Sequence, residues 1–171
     1  MSTVVQLKTL VRDVPDFPYI GILFRDITPM LRTHFGAVID ALDALFSDRD
    51  WQQVDAVCGI ESRGFILAAA LAQKRGKGFV PIRKKGKLPP PVVDVAYTLE
   101  YGTGFLEMQP GAGTLLLIDD VLATGGTLSA ANELSERAGY GVYAAGVLID
   151  LKLEAAVVFS SHAVRSVIEY G

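Results

Sequence analysis

Cysteine is nearly absent. Cys58 stands alone among 171 residues, which excludes an internal disulfide and a metal site built from several cysteines. Histidine is scarce too: His34 and His162 lie far apart with no partners at ligand spacing, so both read as structural residues. Trp51, the single tryptophan, reads as packing. Uninterrupted apolar stretches such as 65–72 and 155–159 fall well short of the ~18 residues needed to cross a bilayer. Nor is there an excess of positive charge. Sixteen Lys and Arg against 19 Asp and Glu leave a net charge of -3, which disfavours a nucleic-acid or membrane-surface binder. Met1-Ser2-Thr3-Val4 lacks the basic and apolar regions of a secretory signal, so a cytoplasmic location is expected.

What the sequence does have is a core. Half of its residues are hydrophobic, a fifth are charged and the mean hydropathy is +0.34, far from the composition of a disordered chain. At roughly 150 residues per domain, 1–171 is expected to be one domain.

Val4, Leu7, Leu10 and Val11 recur at three and four and predict an amphipathic helix over 3–11. Pro18, Gly21 and Pro29 exclude a regular element from 17–29, yet that segment is rich enough in aromatic and aliphatic residues to cover something. Thr33 is expected to cap a helix running to about residue 46, with Ile39, Leu42, Leu45 and Phe46 on one face. Strand and helix signals then alternate: strand 54–60, helix 65–75 closed by Gly76, and strand 78–83. A doubly buried strand at 114–118, a helix from 126 to Gly139 and an apolar strand at 142–151 follow. This alternation predicts an α/β fold, a mostly parallel twisted sheet flanked by helices. Residues 83–97, containing Pro89-Pro90-Pro91, are predicted to form a long loop of the kind that acts as a lid or binding loop.

Chemistry concentrates in the segment Ile118-Asp119-Asp120-Val121-Leu122-Ala123-Thr124-Gly125-Gly126-Thr127. A buried strand ends in two carboxylates and enters a helix through Thr-Gly-Gly-Thr. Free N–H groups at the helix start, two glycines without Cβ atoms and two hydroxyls make an anion cradle suited to a phosphate monoester. The upstream carboxylates would repel bare phosphate, so they point to sugar hydroxyls or magnesium between them and the anion. No GxxxxGK[ST] occurs, and Gly76-Lys77-Gly78, Gly102-Thr103-Gly104 and Gly111-Ala112-Gly113 all lack the third glycine of a dinucleotide fingerprint. A second junction, Cys58-Gly59-Ile60-Glu61-Ser62-Arg63-Gly64-Phe65, reads as a plain capped strand-to-helix turn or as a second anion site with Arg63 beside it. Arg83-Lys84-Lys85-Gly86-Lys87 is either a solvated charge run or a cationic clamp on phosphates.

The 119–127 segment resembles the PRPP-binding signature of the type I phosphoribosyltransferases. Residues 17–29, Glu61-Ser62-Arg63-Gly64-Phe65, Arg83-Lys84-Lys85-Gly86-Lys87-Leu88-Pro89 and Tyr97-Thr98-Leu99-Glu100-Tyr101-Gly102 further resemble the adenine-specific branch of that family. The resemblance runs from about residue 4 to the end, with the segments in the family's order. It implies transfer of the 5-phosphoribosyl group from PRPP to adenine, giving AMP and pyrophosphate, in a homodimer that binds neither nucleic acid nor membrane. Magnesium would be carried by PRPP and water rather than by protein side chains. A hood at about 1–34 would cover the base, over a core at about 35–171 with a flexible catalytic loop at about 84–109. Asp119 and Asp120 would hold the ribose hydroxyls, and Ala123, Thr124, Gly125, Gly126 and Thr127 the 5-phosphate. Glu61, Ser62, Arg63, Lys84 and Lys87 would meet pyrophosphate, and Leu23, Phe24 and Arg25 adenine. Glu100 and Tyr101 would be catalytic, and the peptide bond between Glu61 and Ser62 would be cis. The chain departs from the family at Gly104, where aspartate is frequent, at Gln109, where histidine is common, and after Asp150, where a glycine and basic residues are usual. Two rivals are a phosphoribosyltransferase for a 6-oxopurine and a regulatory protein that senses PRPP or purines without catalysis.

Overall fold

The structure is a computed structural model that describes residues 3–99, 102–153, 158–159 and 162–171. In chain order the N-terminal elements are α1 (Thr3–Thr9), β1 (Arg12–Pro15), β2 (Leu23–Asp26), α2 (Thr28–Asp43) and α3 (Asp48–Gln52). The central elements are β3 (Ala56–Ile60), α4 (Arg63–Arg75), β4 (Gly78–Lys84), β5 (Val93–Leu99) and β6 (Gly102–Met108). They are followed by β7 (Thr114–Leu122), α5 (Gly126–Arg137), β8 (Gly141–Asp150), β9 (Val158–Phe159), β10 (His162–Ala163) and β11 (Arg165–Glu169).

Seven strands form one sheet in the order β11-β8-β7-β3-β4-β6-β5. From β11 to β4 every pairing is parallel, and β6 and β5 add an antiparallel edge. The expected α/β fold with a mostly parallel sheet is the one observed. Side-chain alternation along β7 explains why both faces are covered: Leu116 and Ile118 join the core beneath α2 and α4, while Leu115 and Leu117 join the core beneath α5. Trp51 packs at the first of these cores, edge-on to Phe46 with ring centroids 6.0 Å apart, and Cys58 is fully buried within β3. Among the described residues no helix is long and apolar enough to cross a membrane.

Several local expectations need correction. Residues 17–29 do contain a strand: Leu23–Asp26 lies between the two prolines and pairs antiparallel with β1, with Gly21 at φ +90° in the connecting turn. Thr33 does not cap a helix. The helix starts at Thr28 with Pro29 in its first turn, where a missing N–H costs nothing, and Asp26 Oδ1 accepts the Thr28 N–H at 2.9 Å. Thr33 instead stands beside a kink at His34, whose φ and ψ of -135° and 30° are not helical, and its hydroxyl donates to the Pro29 carbonyl at 2.9 Å. The long loop expected at 83–97 is shortened to 85–92, because β4 runs to Lys84 and β5 begins at Val93, with β5 and β6 forming an antiparallel hairpin through Leu99↔Gly102 that attaches to β4 through Lys84↔Leu106. Finally, the 114–118 strand continues through both carboxylates to Leu122. The short helix α3 was not expected, although Ser47 and Asp50 form a reciprocal capping box at its start.

Candidate active site

Parallel strands end together, and at the carboxyl end of this sheet β3, β4 and β7 deliver the polar residues singled out above. Beyond Leu122 the chain turns through Ala123 and Thr124 to Gly125, whose φ of +86° is a left-handed conformation that a Cβ would strain. Helix α5 begins at Gly126 with no side chain capping it, so its first N–H groups face a small cavity of about 70 Å³ lined by Thr124, Gly125, Gly126 and Thr127. This is the predicted anion cradle, assembled from contiguous residues.

Asp119 borders this small cavity, Asp119 and Asp120 together line the one adjoining it, and they are only 8 % and 7 % exposed. Burial, followed by the charge of Asp120, pushes the Asp119 carboxyl well above the usual carboxylate range, with Arg63 pulling it partly back. Asp119 Oδ1 accepts the Asp120 N–H at 2.9 Å. Asp120 Oδ2 lies 2.6 Å from Arg63 Nε, yet that contact lacks hydrogen-bond alignment and the buried oxygen has no hydrogen-bond partner among the described residues. A buried acceptor without an aligned donor, on a residue that lines a cavity, is suited to a hydroxyl or a metal-bound water once Arg63 gives way.

The adjoining cavity, of about 380 Å³, is lined by Ser62, Arg63, Lys84, Tyr97, Asp120 and Thr127 among others. The peptide bond between Glu61 and Ser62 is cis. Glu61 also borders this cavity, but its carboxylate accepts from the Lys84 N–H at 3.0 Å and from Arg83 Nε at 3.3 Å. Burial raises its pKa, and the Lys84 N–H and the Arg83 charge more than offset that, leaving it below the ordinary glutamate value. Glu61 thus braces the strand end that carries Lys84. Lys87 belongs to the turn beyond, and its N–H and that of Leu88 each donate to Glu107 Oε1 at 2.7 Å.

Within 1–34, the segment expected to form a hood, β1 and β2 make a hairpin pinned by Arg12 donating through Nε and Nη2 to Asp26 Oδ2 at 3.1 and 2.8 Å, and by an ion pair between Arg25 and Asp13. Strand alternation separates the three residues expected at the base. Leu23 and Arg25 line a cavity of about 410 Å³ with Ala123, Leu151 and Tyr170, whereas Phe24 emerges on the other face. There it contacts Phe17 edge-on at 5.1 Å and lies beneath the Arg63 guanidinium, 4.7 Å from the ring centroid. Glu100 and Tyr101 lie outside the described residues; the strand ends flanking them pair as Leu99↔Gly102.

Each departure from the family pattern has a local setting. Gly104 faces Tyr97 across β5 and β6, and a Cβ there would lie 2.7 Å from the Tyr97 ring, so its absence lets that ring sit in the site. Gln109 donates to the Pro89 carbonyl at 3.1 Å. After Asp150, Lys152 adopts a φ of +53°, its N–H given to Asp150 Oδ1 at 2.8 Å and its ammonium 2.9 Å from both Asp150 and Glu169. Sequence reasoning missed Glu107, Tyr97, Leu151 and Tyr170. For Glu107 a signal existed, a carboxylate between Leu106 and Met108 on an apolar strand.

Residues 33–167 match the phosphoribosyl transferase domain. The adenine phosphoribosyltransferase of Hydrogenovibrio crunogenus is 52% identical over 158 residues, which is 92% of this chain and 92% of its own. The crystal structure of adenine phosphoribosyltransferase from Rhodothermus marinus superposes with a TM-score of 0.85 at 42% identity, covering 98% of each chain. That of APRTase from Giardia lamblia, complexed with 9-deazaadenine, gives a TM-score of 0.86 at 35% identity over 100% of this chain and 99% of its own. With a glycine-rich helix start, a buried carboxylate pair and a cationic cavity side by side at the sheet's carboxyl end, the chain belongs to the phosphoribosyl transferase family, in its adenine phosphoribosyltransferase branch.

Proposed function

We propose that this chain serves purine salvage by transferring the 5-phosphoribosyl group from PRPP to adenine, producing AMP and pyrophosphate. The observation that carries this reading is contiguity. Ala123 borders the cradle and the cationic cavity alike, so one ligand with phosphate, sugar and pyrophosphate parts can span both and meet a base at the β1–β2 hairpin, where Arg63 of the cationic cavity lies 4.7 Å from the Phe24 ring centroid. The segment 123–127 holds the 5-phosphate, Asp119 and Asp120 accept the ribose hydroxyls, and Ser62, Arg63, Lys84 and Lys87 take the pyrophosphate while Glu61 holds Lys84 in place. The free edge of β2 reads the base through the backbone of Leu23 and Arg25, and Phe24 stacks on it. A backbone carbonyl accepts from adenine's 6-amino group but would face the lone pairs of a 6-oxo group, which argues against the 6-oxopurine reading.

The C1–pyrophosphate bond breaks through an oxocarbenium-like ribose, so the protein's tools are positioning and charge. Magnesium fits this site, because the unsatisfied Asp120 Oδ2 and its neighbour Asp119 can receive metal-bound water, and the ion would neutralise the departing pyrophosphate. Glu100 accepts or shares the purine ring proton, with Tyr101 aligning pyrophosphate departure. The working form is a cytoplasmic homodimer. Calorimetric titration tests the assignment: Asp120→Asn should weaken PRPP by about 10-fold or more, the loss of a charge-assisted bond worth ~1.5–3 kcal/mol, and leave adenine affinity nearly unchanged. Unaltered PRPP affinity would remove Asp120 from the ribose site.

A further inference from the structure

We propose that Tyr97 is a further ligand of the pyrophosphate end, donating its hydroxyl to a pyrophosphate oxygen, and that the bare Cα of Gly104 keeps the ring where it can do so. The inference rests on the reading of the cationic cavity as the pyrophosphate site. Its own observation is one ring laid against one glycine at the wall of that cavity.

Tyr97 and Gly104 stand opposite each other on β5 and β6. The Tyr97 ring packs against the core beneath α5, and the residue borders the cavity that also takes in Ser62, Arg63 and Lys84. It does not line the small cavity at the start of α5, which places it with the pyrophosphate end and not with the 5-phosphate. Among the described residues its hydroxyl finds no hydrogen-bond partner. Burial, and after it the charge of Asp119, raises the phenol above its ordinary pKa. The group therefore keeps its proton, and beside Arg63 and Lys84 it offers an anion a neutral third donor.

Gly104 accounts for the position of the ring. A Cβ on it would stand 2.7, 2.9 and 3.1 Å from Cε1, Cζ and the hydroxyl oxygen of Tyr97, so the outer end of the ring lies over the glycine. The backbone itself makes no demand for glycine here, because the φ of Gly104 lies outside the left-handed region. A larger residue would fit the strand and push on the ring. The three atoms nearest that Cβ all belong to Tyr97, so a substitution at 104 acts first on that side chain.

Isothermal titration with magnesium pyrophosphate, ribose 5-phosphate and adenine tests this in wild type, Tyr97→Phe, Gly104→Ala and the double variant. Tyr97→Phe keeps the ring and loses only the hydroxyl. It should bind pyrophosphate about 10-fold more weakly, and ribose 5-phosphate and adenine within about 2-fold of wild type. Gly104→Ala, which displaces the same hydroxyl, should also lose about 10-fold for pyrophosphate. Because both changes remove one bond, the double variant should fall no more than about 2-fold below either single variant. The proposal is overturned if Tyr97→Phe binds pyrophosphate like wild type, or if its loss falls on ribose 5-phosphate instead. A weakened Tyr97→Phe beside an unaffected Gly104→Ala, or single losses that multiply to about 100-fold in the double variant, overturns the part given to Gly104. Wild type that does not bind magnesium pyrophosphate at all overturns the reading of the cavity, and the role of Tyr97 with it.

Discussion

Along β7, Asp119 and Asp120 follow Leu115, Leu116, Leu117 and Ile118 into the interior, where two adjacent carboxylates repel each other with little water to screen them. Burial and the charge of Asp120 raise the Asp119 pKa, which gives the folded state a higher proton affinity at this position than the unfolded chain. The native state then binds more protons than the unfolded one, and stability falls as pH rises from the unfolded value through the folded one. An asparagine side chain in place of Asp119 would keep an oxygen for the Asp120 N–H and have no charge to bury. The Asp119→Asn variant is therefore predicted to melt about 2–4 °C above wild type near pH 8, equivalent to ~1 kcal/mol in a chain of this size, with the gap closing toward about pH 4. Scanning calorimetry of the unliganded protein at both pH values checks this, and an equal or lower melting temperature near pH 8 contradicts it.

At the scale of elements, β6 carries a carboxylate with the opposite behaviour. Glu107 is 2 % exposed, and burial alone would raise its pKa, but the N–H groups of Gly86, Leu88 and Lys87 and the charge of Lys85 bring it below the ordinary glutamate value. Stability from a depressed carboxylate is present above the unfolded pKa and lost as pH falls through the folded one. Glu107→Gln is predicted to cost ~1.5–3 kcal/mol at neutral pH, read from the urea midpoint at unchanged slope, with the difference shrinking below about pH 4. It should also weaken pyrophosphate binding, because the turn holding Lys87 loses its anchor. Identical urea midpoints at neutral pH would show that the turn holds itself. Local order of this kind also separates what was legible in the sequence from what was not. The helix read at 65–75 and found at 63–75, with Gly76 at its end, and the helix start at Gly126 are written in neighbouring residues and could be read there. The Leu23–Asp26 strand was hidden by Pro18 and Pro29, whose constraints stop short of it, and the Pro89-Pro90-Pro91 run drew attention from the alternation of Val93, Val95 and Tyr97 beyond it. Leu151 and Tyr170, each one residue beyond the paired strands β8 and β11, meet Leu23 and Arg25 at one cavity only through tertiary packing, which no local pattern announces.

For the molecule as a whole, the net charge of -3 coexists with a convergence of Arg63, Arg83, Lys84 and Lys87 at one end of the sheet, so an anionic substrate meets attraction where it must bind. One end of the fold brings together the glycine-rich start of α5, the Asp119 and Asp120 pair, a cationic cavity and the β1–β2 hairpin. That combination suits group transfer to a base better than storage or sensing of PRPP alone. The most direct measurement is steady-state turnover with magnesium PRPP and, in turn, adenine, hypoxanthine, xanthine and guanine, following nucleotide and pyrophosphate together. The account predicts equimolar AMP and pyrophosphate from adenine, and kcat/KM for each 6-oxopurine lower by about 10⁴-fold, because a 6-oxo group would leave buried backbone acceptors unpaired. Comparable turnover of hypoxanthine, or PRPP that binds without transfer to any purine, would contradict it.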